Sequence, residues 1–301
     1  MSKFTAYLNG EWVDSDKLVI DRHDRGFRVA DVVFDVARTF GGVIFKRDKH
    51  VARFFRSLKY ARIDIGLSQG EFTGLMDEAV ERNRHLLPEI GDLDIYFFAT
   101  RGPGLWASKA GPPTVAIDPF AIPFYRHAHL FDTGVHGVIS KMRGFSPDQI
   151  DPKIKHQARM NFNLAELEAA DVDPEAWPII LDTEGNVAEG TINSVFLVTG
   201  GVIKTAPDDH VLQSVSRGSV YELAEQLGIP VEEEAIQPYD LYTADEAFLA
   251  FTGAEVLPMT RVDGRDVGDG KPGPITQQLL AAWSEWVGVD IVDQARRYSN
   301  Q

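Results

Sequence analysis

The sequence predicts a two-domain protein of mixed α/β (α+β) architecture. Three observations lead there. The chain has 301 residues, enough for two domains with sizeable cores. Apolar patterns of period two and period 3.6 alternate along it. The stretch Asp118-Pro-Phe-Ala-Ile-Pro-Phe124, with two prolines behind a strand, reads as a linker between two such blocks. The expected division is a small N-terminal α/β domain over 1–118, a linker over 119–126 and a larger C-terminal domain over 127–301.

The elements follow in order. Residues 6–8 and 11–13 flank Asn9-Gly10, the signature of a type I′ hairpin. Residues 32–40 are rich in β-branched and aromatic side chains and read as a strand, which Gly41-Gly42 turns into 43–45. Asp48 can cap a helix running to 62, with Val51, Phe54, Phe55 and Leu58 at helical spacing. A second helix is expected over 72–87, then a strong strand over 93–100, ended by Gly102-Pro103-Gly104. In the second block, strands are expected at 135–140, 177–181, 194–198, 202–205, 231–233, 246–251 and 256–262. Helices are expected at 161–170, at 216–227 before Gly228 and Pro230, and at 274–286. No internal repeat or low-complexity segment is visible.

Composition narrows the function classes. Hydrophobic residues make up 44% and charged residues 25%, ordinary for a soluble globular chain. The net charge of −15 is spread along the sequence, which disfavours nucleic acid and anionic membranes as partners. There is no cysteine, so disulfides, thiolate catalysis and cysteine-ligated metals are excluded, and a reducing cytoplasm fits. Residues 1–14 are polar and carry no apolar signal-peptide core. No apolar run approaches the roughly 20 residues that span a bilayer.

Several short segments carry chemistry. Lys155 stands in Asp151-Pro-Lys-Ile-Lys155-His-Gln, where a lowered pKa would make its amine a nucleophile for an aldehyde. Lys153 shares its face if the segment is extended and not if it turns into a helix. Two solvated lysines before a helix would look the same. Glu189, in Asn186-Val-Ala-Glu-Gly-Thr-Ile-Asn193, can keep a pyridine nitrogen protonated, or can be an ordinary glutamate in a turn held by Thr191 and Asn193. Val211-Leu-Gln-Ser-Val-Ser216-Arg217 precedes a helix, whose first N–H groups and the Ser216 hydroxyl form a natural anion site. Ser216 is equally a good N-cap. Thr252-Gly253 can add a hydroxyl and an N–H. Arg53 can add a charge-assisted bond, or can be one more surface arginine beside Arg56, Lys59 and Arg62. One lysine for a Schiff base, one carboxylate for a ring nitrogen and several phosphate donors are together the parts of pyridoxal 5′-phosphate (PLP) chemistry. His127 and His129 alternate along a possible strand and could bind a metal, but no third ligand motif lies near, so solvated or capping roles fit better.

The order of these segments resembles that of the fold-type IV PLP-dependent aminotransferases, which include branched-chain and D-amino-acid aminotransferases and (R)-amine transaminases. Asp24-Arg-Gly-Phe27 with Ala30-Asp31-Val-Val-Phe34-Asp35 is similar to D-R-G-(Y/F)…G-D-(G)-V-(F/Y)-E. His50-Val-Ala-Arg53-Phe-Phe-Arg-Ser57 resembles H-x-x-R-L-x-x-S, and Glu189-Gly-Thr-Ile-Asn193-Ser-Val-Phe196 resembles E-x-(T/S)-x-N-(I/V)-F. Leu212-Gln-Ser-Val215-Ser216-Arg217 is similar to L-x-G-(I/V)-T-R, and Thr252-Gly-Ala-Glu255-Val-Leu-Pro258 to T-A-x-E-(I/V)-x-P. Lys271-Pro-Gly-Pro-Ile-Thr276 matches the G-P-(I/V)-T that opens the last helix. The resemblance spans about residues 5–290 and implies a D-amino-acid aminotransferase-like fold.

It also implies roles. Lys155 would be the catalytic Schiff-base lysine and Arg53 a phosphate ligand. Glu189 would meet the ring nitrogen and Leu212 would pack on the ring. Val215, Ser216 and Thr252 would hold phosphate. The chain departs from the pattern after the lysine, where Ala158 and Arg159 replace Asn and Tyr or Leu, and in the loop, where Ser214 replaces Gly and Ser216 replaces Thr. Arg159 would reach the cofactor's phenolate or the substrate, or be an ordinary helix residue. The implied reaction is a ping-pong transamination between an amine or amino acid and a 2-keto acid, by a homodimer whose small domains cover each other's sites.

Substrate choice is expected to depend on the strand 93–100 and the loop after it. Alternation puts Ile95, Phe97 and Ala99 on one side and Tyr96, Phe98 and Thr100 on the other. The Tyr-x-Arg that binds a carboxylate in branched-chain enzymes aligns with Ile95 and Phe97. The Arg-x-His of D-amino-acid enzymes aligns with Trp106 and Ser108. With both clamps missing, an apolar pocket is expected from Phe34, Phe97 and Trp106, with Arg159, Gly253 and Ala254 beside it. That favours an (R)-selective amine transaminase or one of broad specificity. If Arg28, Arg101, Arg159 or a partner residue binds the carboxylate, a branched-chain or D-amino-acid enzyme results. Aminodeoxychorismate lyase, which uses the same fold for β-elimination, is the reading from another reaction class.

Overall fold

The computed structural model describes residues 4–300, and the chain forms two compact units. The first runs to Ile122 and also takes in Ile154–Ala158; the second holds Pro123–Lys153 and the chain from Arg159 onward.

The first unit is built on a six-stranded antiparallel sheet. Its strands lie in the order Glu11–Asp14, Thr5–Leu8, Val115–Ala121, Leu93–Thr100, Val32–Phe40, Val43–Ile44. Helices Arg47–Ala61 and Gln69–Asn83 pack beside this sheet. Phe54 and Phe72 of those helices meet Phe97 of the central strand at ring-centroid distances of 5.1 and 5.4 Å. A separate apolar cluster joins Val32, Phe34, Phe98 and Ala116, with Val36 and Tyr96 packed against it.

The expected linker begins too early. Asp118 to Ala121 complete the strand Val115–Ala121, and Pro119 sits opposite Ile95. Thr5–Leu8 pairs only as far as Ala116 and Ile117, so Pro119 lies where its missing N–H breaks no ladder bond. The N–H and C=O of Thr5 are instead satisfied by the side-chain amide of the buried Asn83, at 2.8 and 2.8 Å.

Helix boundaries shift for local reasons. Gln69–Asn83 starts earlier than its apolar pattern because Ser68 and Glu71 form a capping box. Asp48 is not a cap. The helix begins at Arg47 behind a left-handed Lys46, and Asp48 lies in the first turn, where its charge suits the helix dipole. Asp24 caps a short helix, Arg25–Val29, that no periodicity announces.

The second unit has a nine-stranded sheet. Its main path runs Val231–Glu233, Val202–Thr205, Ser194–Thr199, Glu246–Phe251, Glu255–Val262, Val135–Arg143, Trp177–Leu181, Val187–Gly190, with Arg265–Asp266 beside Glu255–Val262. A pairing of Ser194 with Glu189 closes six of these strands into a ring. Val187–Gly190 reads as a turn in the sequence because four residues are too few to show a period; in the fold it is the closing strand. Helices Met160–Val172, Val215–Leu227 and Pro274–Val287 pack around this sheet. Pro238–Tyr242 and Ile291–Tyr298 are further helices.

His127 and His129 are not on a strand. They stand between the helical turns Phe124–Arg126 and Leu130–Thr133, and His127 is buried among the rings of Phe124, Phe131 and Phe251. Among the described residues, no group of three His, Cys, Asp or Glu could hold a metal, and no helix is long and apolar enough to cross a membrane.

Candidate active site

In the first unit, the helix Arg47–Ala61 presents His50, Arg53 and Ser57 at spacings of three and four, which is one helical face. All three are buried. Asp35, on the strand Val32–Phe40 and fully enclosed, is aimed at them. Arg53 Nε donates to its Oδ2 at 2.8 Å and Nη2 to its Oδ1 at 2.7 Å. His50 Nδ1 lies 2.9 Å from Oδ1, and the Val36 N–H donates to the same oxygen at 2.8 Å. Burial alone would raise this carboxyl, but the Arg53 charge and the His50 hydrogen bond outweigh it and hold Asp35 well below the usual carboxylate range. Burial pushes His50 down. The bond to Asp35 opposes that shift, while the charges of Arg53 and Lys155 add to it, so the imidazole stays neutral at pH 7.

Lys155 is fixed by backbone bonds to this same unit. The Phe34 N–H donates to the Lys155 carbonyl at 3.1 Å, and the Gln157 N–H to the Val32 carbonyl at 3.3 Å. Val33 and His156 form an antiparallel bridge. The Lys155 N–H donates to Ser57 Oγ at 3.2 Å. The segment therefore lies along the edge of Val32–Phe40 that the short strand Val43–Ile44 leaves open, because that strand pairs only with Thr39 and Phe40. Lys155 Nζ rests 4.6 Å from the centre of the Phe34 ring. Lys153 does not share this face; it lies in a turn and pairs with Asp151 at 3.1 Å.

The wall next to Lys155 is set by strand register. Phe34, Tyr96 and Phe98 form one aromatic row, with Tyr96 5.6 Å from Phe34 and 5.5 Å from Phe98. Gln157 Nε2 donates to the Tyr96 hydroxyl at 2.6 Å. The sequence places the carboxylate-clamp positions at Ile95 and Phe97. Those two are 0% exposed, and Phe97 is enclosed by Phe54 and Phe72, so it lines no pocket. A one-residue slip moves every side chain to the other face of a strand. The side chains of this strand that share a face with Phe34 are therefore Tyr96 and Phe98, not Ile95 and Phe97.

Other expected pocket residues are placed differently. Trp106 is 70% exposed in the loop after Thr100. Arg101 is occupied by Asp31, at 2.7 and 3.0 Å, and by the carbonyls of Ala61 and Arg62. Arg28 is exposed in the last turn of Arg25–Val29.

In the second unit, Glu189 is half-buried on the ring-closing strand, opposite Ile180 on one side and Ser194 on the other. The turn behind it is tight. A Cβ at Gly190 would run into the Asn193 side chain, and the Gly190 N–H donates to the Asn193 carbonyl at 2.9 Å. Asn193 Oδ1 is buried with no hydrogen-bond partner among the described residues. Arg159 Nη1 donates to the Thr191 carbonyl at 2.8 Å, and its guanidinium lies 4.8 Å from the Phe162 ring. Arg159 thus ties this turn to the start of the helix Met160–Val172.

Val211 packs with Ala188 and Ala206, which seats the Leu212 loop beside the Glu189 strand. Leu212 is itself buried. The next helix begins at Val215, and its N-cap is Ser214, whose hydroxyl accepts from the Arg217 N–H at 3.3 Å. Ser216 is therefore not the cap. It is a buried residue of the first turn, where amide N–H groups lack partners within the helix. Arg217 turns inward to Tyr221, Asp208, Glu233 and the Ala206 carbonyl, so it braces the loop. Thr252 and Gly253 follow the strand Glu246–Phe251 half-buried, and Ala254 is buried.

The groups present fit the chemistry of a phosphorylated pyridine aldehyde. The first unit holds an amine fixed by its own backbone, and the second holds a half-buried carboxylate and a helix N-terminus with a buried hydroxyl. The comparisons with known proteins agree. The profile of the family described as amino-transferase class IV matches residues 32–262. The chain belongs to that family: it is a PLP-dependent aminotransferase of fold type IV.

It is 34% identical over 298 residues, 96% of this chain and 99% of the other, to a Methanocaldococcus jannaschii protein named, provisionally, a branched-chain-amino-acid aminotransferase. It is 30% identical over 278 residues, 91% of this chain and 94% of the other, to the D-alanine aminotransferase of Bacillus licheniformis. Among solved structures, it resembles the branched-chain aminotransferase of the thermophilic archaeon Thermoproteus uzoniensis with norvaline, at 27% identity and TM-score 0.84, over 99% of this chain and 97% of that one.

Tyr96, Phe98 and Gln157 beside Lys155, and Asp35 and His50 beside Arg53, are neighbours to which sequence reasoning gives no role. Part of the signal is there, since alternation along 93–100 and the three-residue spacing of His50 and Arg53 are both legible. What the sequence lacks is any mark of the face that the lysine joins.

Proposed function

We propose that Lys155 carries the cofactor and is the base and acid that moves the proton between the substrate's Cα and the cofactor's C4′. Arg53, the N–H groups of Val215 and Ser216, and the Ser216 and Thr252 hydroxyls take the phosphate. Asp35 and His50 pin Arg53. Glu189 keeps the ring nitrogen protonated, and Leu212 packs on the ring. The bound pyridine ring supplies the electron sink for the pair left when the α-proton departs. Gly253 and Ala254 border the substrate. Arg159 acts on the Glu189 turn through the Thr191 carbonyl.

The substrate reading is a transaminase of apolar amines, leaning to (R)-selective amines or broad specificity. The observation that carries it is the aromatic row of Phe34, Tyr96 and Phe98 beside Lys155 Nζ. A substrate carboxylate buried against such a wall without a cation loses, roughly, several kcal/mol. The second reading, a branched-chain or D-amino-acid enzyme, is favoured by the names of the relatives. Adding single donors to the PLP form and following loss of its visible absorbance separates the two. Bleaching by (R)-1-phenylethylamine and not its enantiomer supports the amine reading. Bleaching only by L-leucine or only by D-alanine overturns it. A Lys155→Ala protein with the same cofactor absorbance as the native one would overturn the lysine assignment.

We also propose a homodimer. Phe27, Val29, Leu105 and Trp106 are 58–75% exposed. They are gathered by bonds from Arg25 Nη1 to the Leu105 carbonyl at 3.0 Å and from the Gly104 N–H to the His23 carbonyl at 3.3 Å. Such an apolar patch fits a second copy. The lack of cysteine is in keeping with a cytoplasmic enzyme.

A further inference from the structure

Arg217, in the first turn of the helix Val215–Leu227, is 1% exposed, and every nitrogen of its guanidinium is engaged. Nε donates to the Tyr221 hydroxyl at 3.0 Å and Nη1 to Asp208 Oδ1 at 3.2 Å. Nη2 donates to the Ala206 carbonyl at 2.6 Å and to Glu233 Oε1 at 2.9 Å. The network closes through Glu233. Its Oε1 also accepts from the Tyr221 hydroxyl at 2.7 Å, and its Oε2 accepts from the Asp208 N–H at 3.1 Å. Burial raises the Tyr221 phenol above its ordinary pKa, so it keeps the proton that it donates. Glu233 is tied to the sheet by the parallel pairing of its edge strand, opposite Thr205. One carboxylate thus joins the first turn of the helix, the loop at 206–208 and the edge of the sheet.

We propose that Glu233 is a positioning residue for the cofactor phosphate: through Arg217 and Tyr221 it fixes the direction in which the helix presents the N–H groups of Val215 and Ser216. The proposal rests on the reading that these groups take the phosphate. The next two N–H groups of the turn are already used, Arg217 on Ser214 Oγ at 3.3 Å and Gly218 on the Ser214 carbonyl at 3.1 Å. The two before them reward an anion only when both point at it, since a hydrogen bond weakens steeply with angle. Charge alone gives the opposite expectation. Glu233 and Asp208 repel a dianion, and they occupy the arginine of this turn. A carboxylate here lowers phosphate affinity by its charge and raises it only through geometry. The two effects therefore predict opposite signs for the same substitution. Packing on the cofactor ring has a separate anchor, because Leu212 follows Val211, which is packed with Ala188 and Ala206.

The experiment titrates the full-length apoprotein with PLP and with pyridoxal, which offers the same ring and aldehyde without the phosphate, and reads both dissociation constants from the visible absorbance. Native protein should prefer PLP. Glu233→Ala should weaken PLP roughly tenfold and leave pyridoxal unchanged. Glu233→Gln keeps an acceptor for both donors at lower strength and should weaken PLP by about threefold. Tyr221→Phe removes one arm of the same network. Combined with Glu233→Ala it should bind PLP no more weakly than Glu233→Ala alone, because the two act as one unit.

Tighter PLP binding by Glu233→Ala and Glu233→Gln would overturn the proposal, since the carboxylate would then act by charge alone. Parallel loss of PLP and pyridoxal would overturn it too, because that marks a loosened loop. Ser216→Ala tests the reading underneath. A preference for PLP over pyridoxal that falls in Ser216→Ala but not in Glu233→Ala overturns the proposal alone. A preference that stays native in Ser216→Ala overturns the phosphate reading, so the two failures are distinguishable.

Discussion

Asp35 bears its charge with no exposed surface, and it can do so because both of its oxygens are engaged by donors. Its pKa is lowered in the fold, so its contribution is full above the unfolded value of about 4 and is lost as pH falls further. His50, lowered by burial, acts in the same direction from about pH 6.5 downward. Asp35→Asn should cost about 3 kcal/mol at pH 7, since it leaves Arg53 buried beside a neutral group. The variant's urea midpoint should also fall less than the native one between pH 5 and 3; a parallel fall would show that Asp35 has no part in the acid limb. Asp94 is the reverse case. It is buried, its Oδ1 has no hydrogen-bond partner among the described residues, and burial pushes its carboxyl up to about 7 against the pull of Arg38. A carboxyl raised from 3.8 to about 7 lends stability that is full below pH 4 and lost as pH rises through 7, up to roughly 4 kcal/mol. Asp94→Asn should therefore gain on the native protein between pH 5 and 8, as thermal melts would show. A constant difference across that range would contradict the shift.

At the scale of elements, the strand Leu93–Thr100 is legible in the sequence to the residue, yet the side chains in a row with Phe34 and Lys155 are Tyr96 and Phe98, not the expected Ile95 and Phe97. Periodicity fixes which side chains share a face. It does not tell which face meets the lysine, because Lys155 reaches this sheet by lying along another strand, Val32–Phe40, in a pairing with no local sequence signal. The same limit applies to Asp35. Its neighbours His50 and Arg53 share a visible helical spacing, but the cross-element contact that gives the three a common role is tertiary. Long elements announce themselves by repeated patterns, while Val187–Gly190 and Arg25–Val29 are too short to carry a period. Two substitutions separate the faces. Phe98→Arg should raise kcat/KM for amino acids over amines by about tenfold, by placing a cation in the aromatic row of Phe34 and Tyr96. Phe97→Arg should instead lower the melting temperature sharply, with a loss above about 3 kcal/mol, because its ring is packed between Phe54 and Phe72. If the effects were exchanged, the two faces of the strand would be assigned the wrong way round. Gly273 tests a helix start in the same way. Its absent Cβ leaves room for the Glu246 carboxylate, which would collide with that carbon and which accepts from the N–H groups of Ile275 and Thr276. Gly273→Ala should cost about 1–3 kcal/mol in denaturant melts, whereas Gly288→Ala, with open space around it, tests only backbone strain at a left-handed position.

At the scale of the molecule, the chain passes between its units three times, after Ile122, Lys153 and Ala158. The first passage, between Ile122 and Pro123, falls inside the proline-rich stretch 118–124. The other two bracket the lysine and leave no compositional mark, since five residues that leave one unit and return look like any loop. Net charge, by contrast, is fully legible, and at −15 per chain it opposes any association of two copies. The proposed dimer sets that repulsion against burial of Phe27, Val29, Leu105 and Trp106, with Arg25 and Arg28 on the same short helix as the first two. Apolar burial is nearly indifferent to salt, whereas repulsion between exposed charges is screened within about 10 Å at 0.1 M. Association should therefore tighten as salt rises. Sedimentation velocity at micromolar protein should move toward twice 33.4 kDa between roughly 10 and 300 mM sodium chloride. Phe27→Asp combined with Trp106→Asp should hold the protein at one chain mass throughout, with its melting temperature little changed because both side chains are exposed. A double variant that stays dimeric would move the interface to another surface, and a native protein that dissociates as salt rises would mean that ion pairs hold it together.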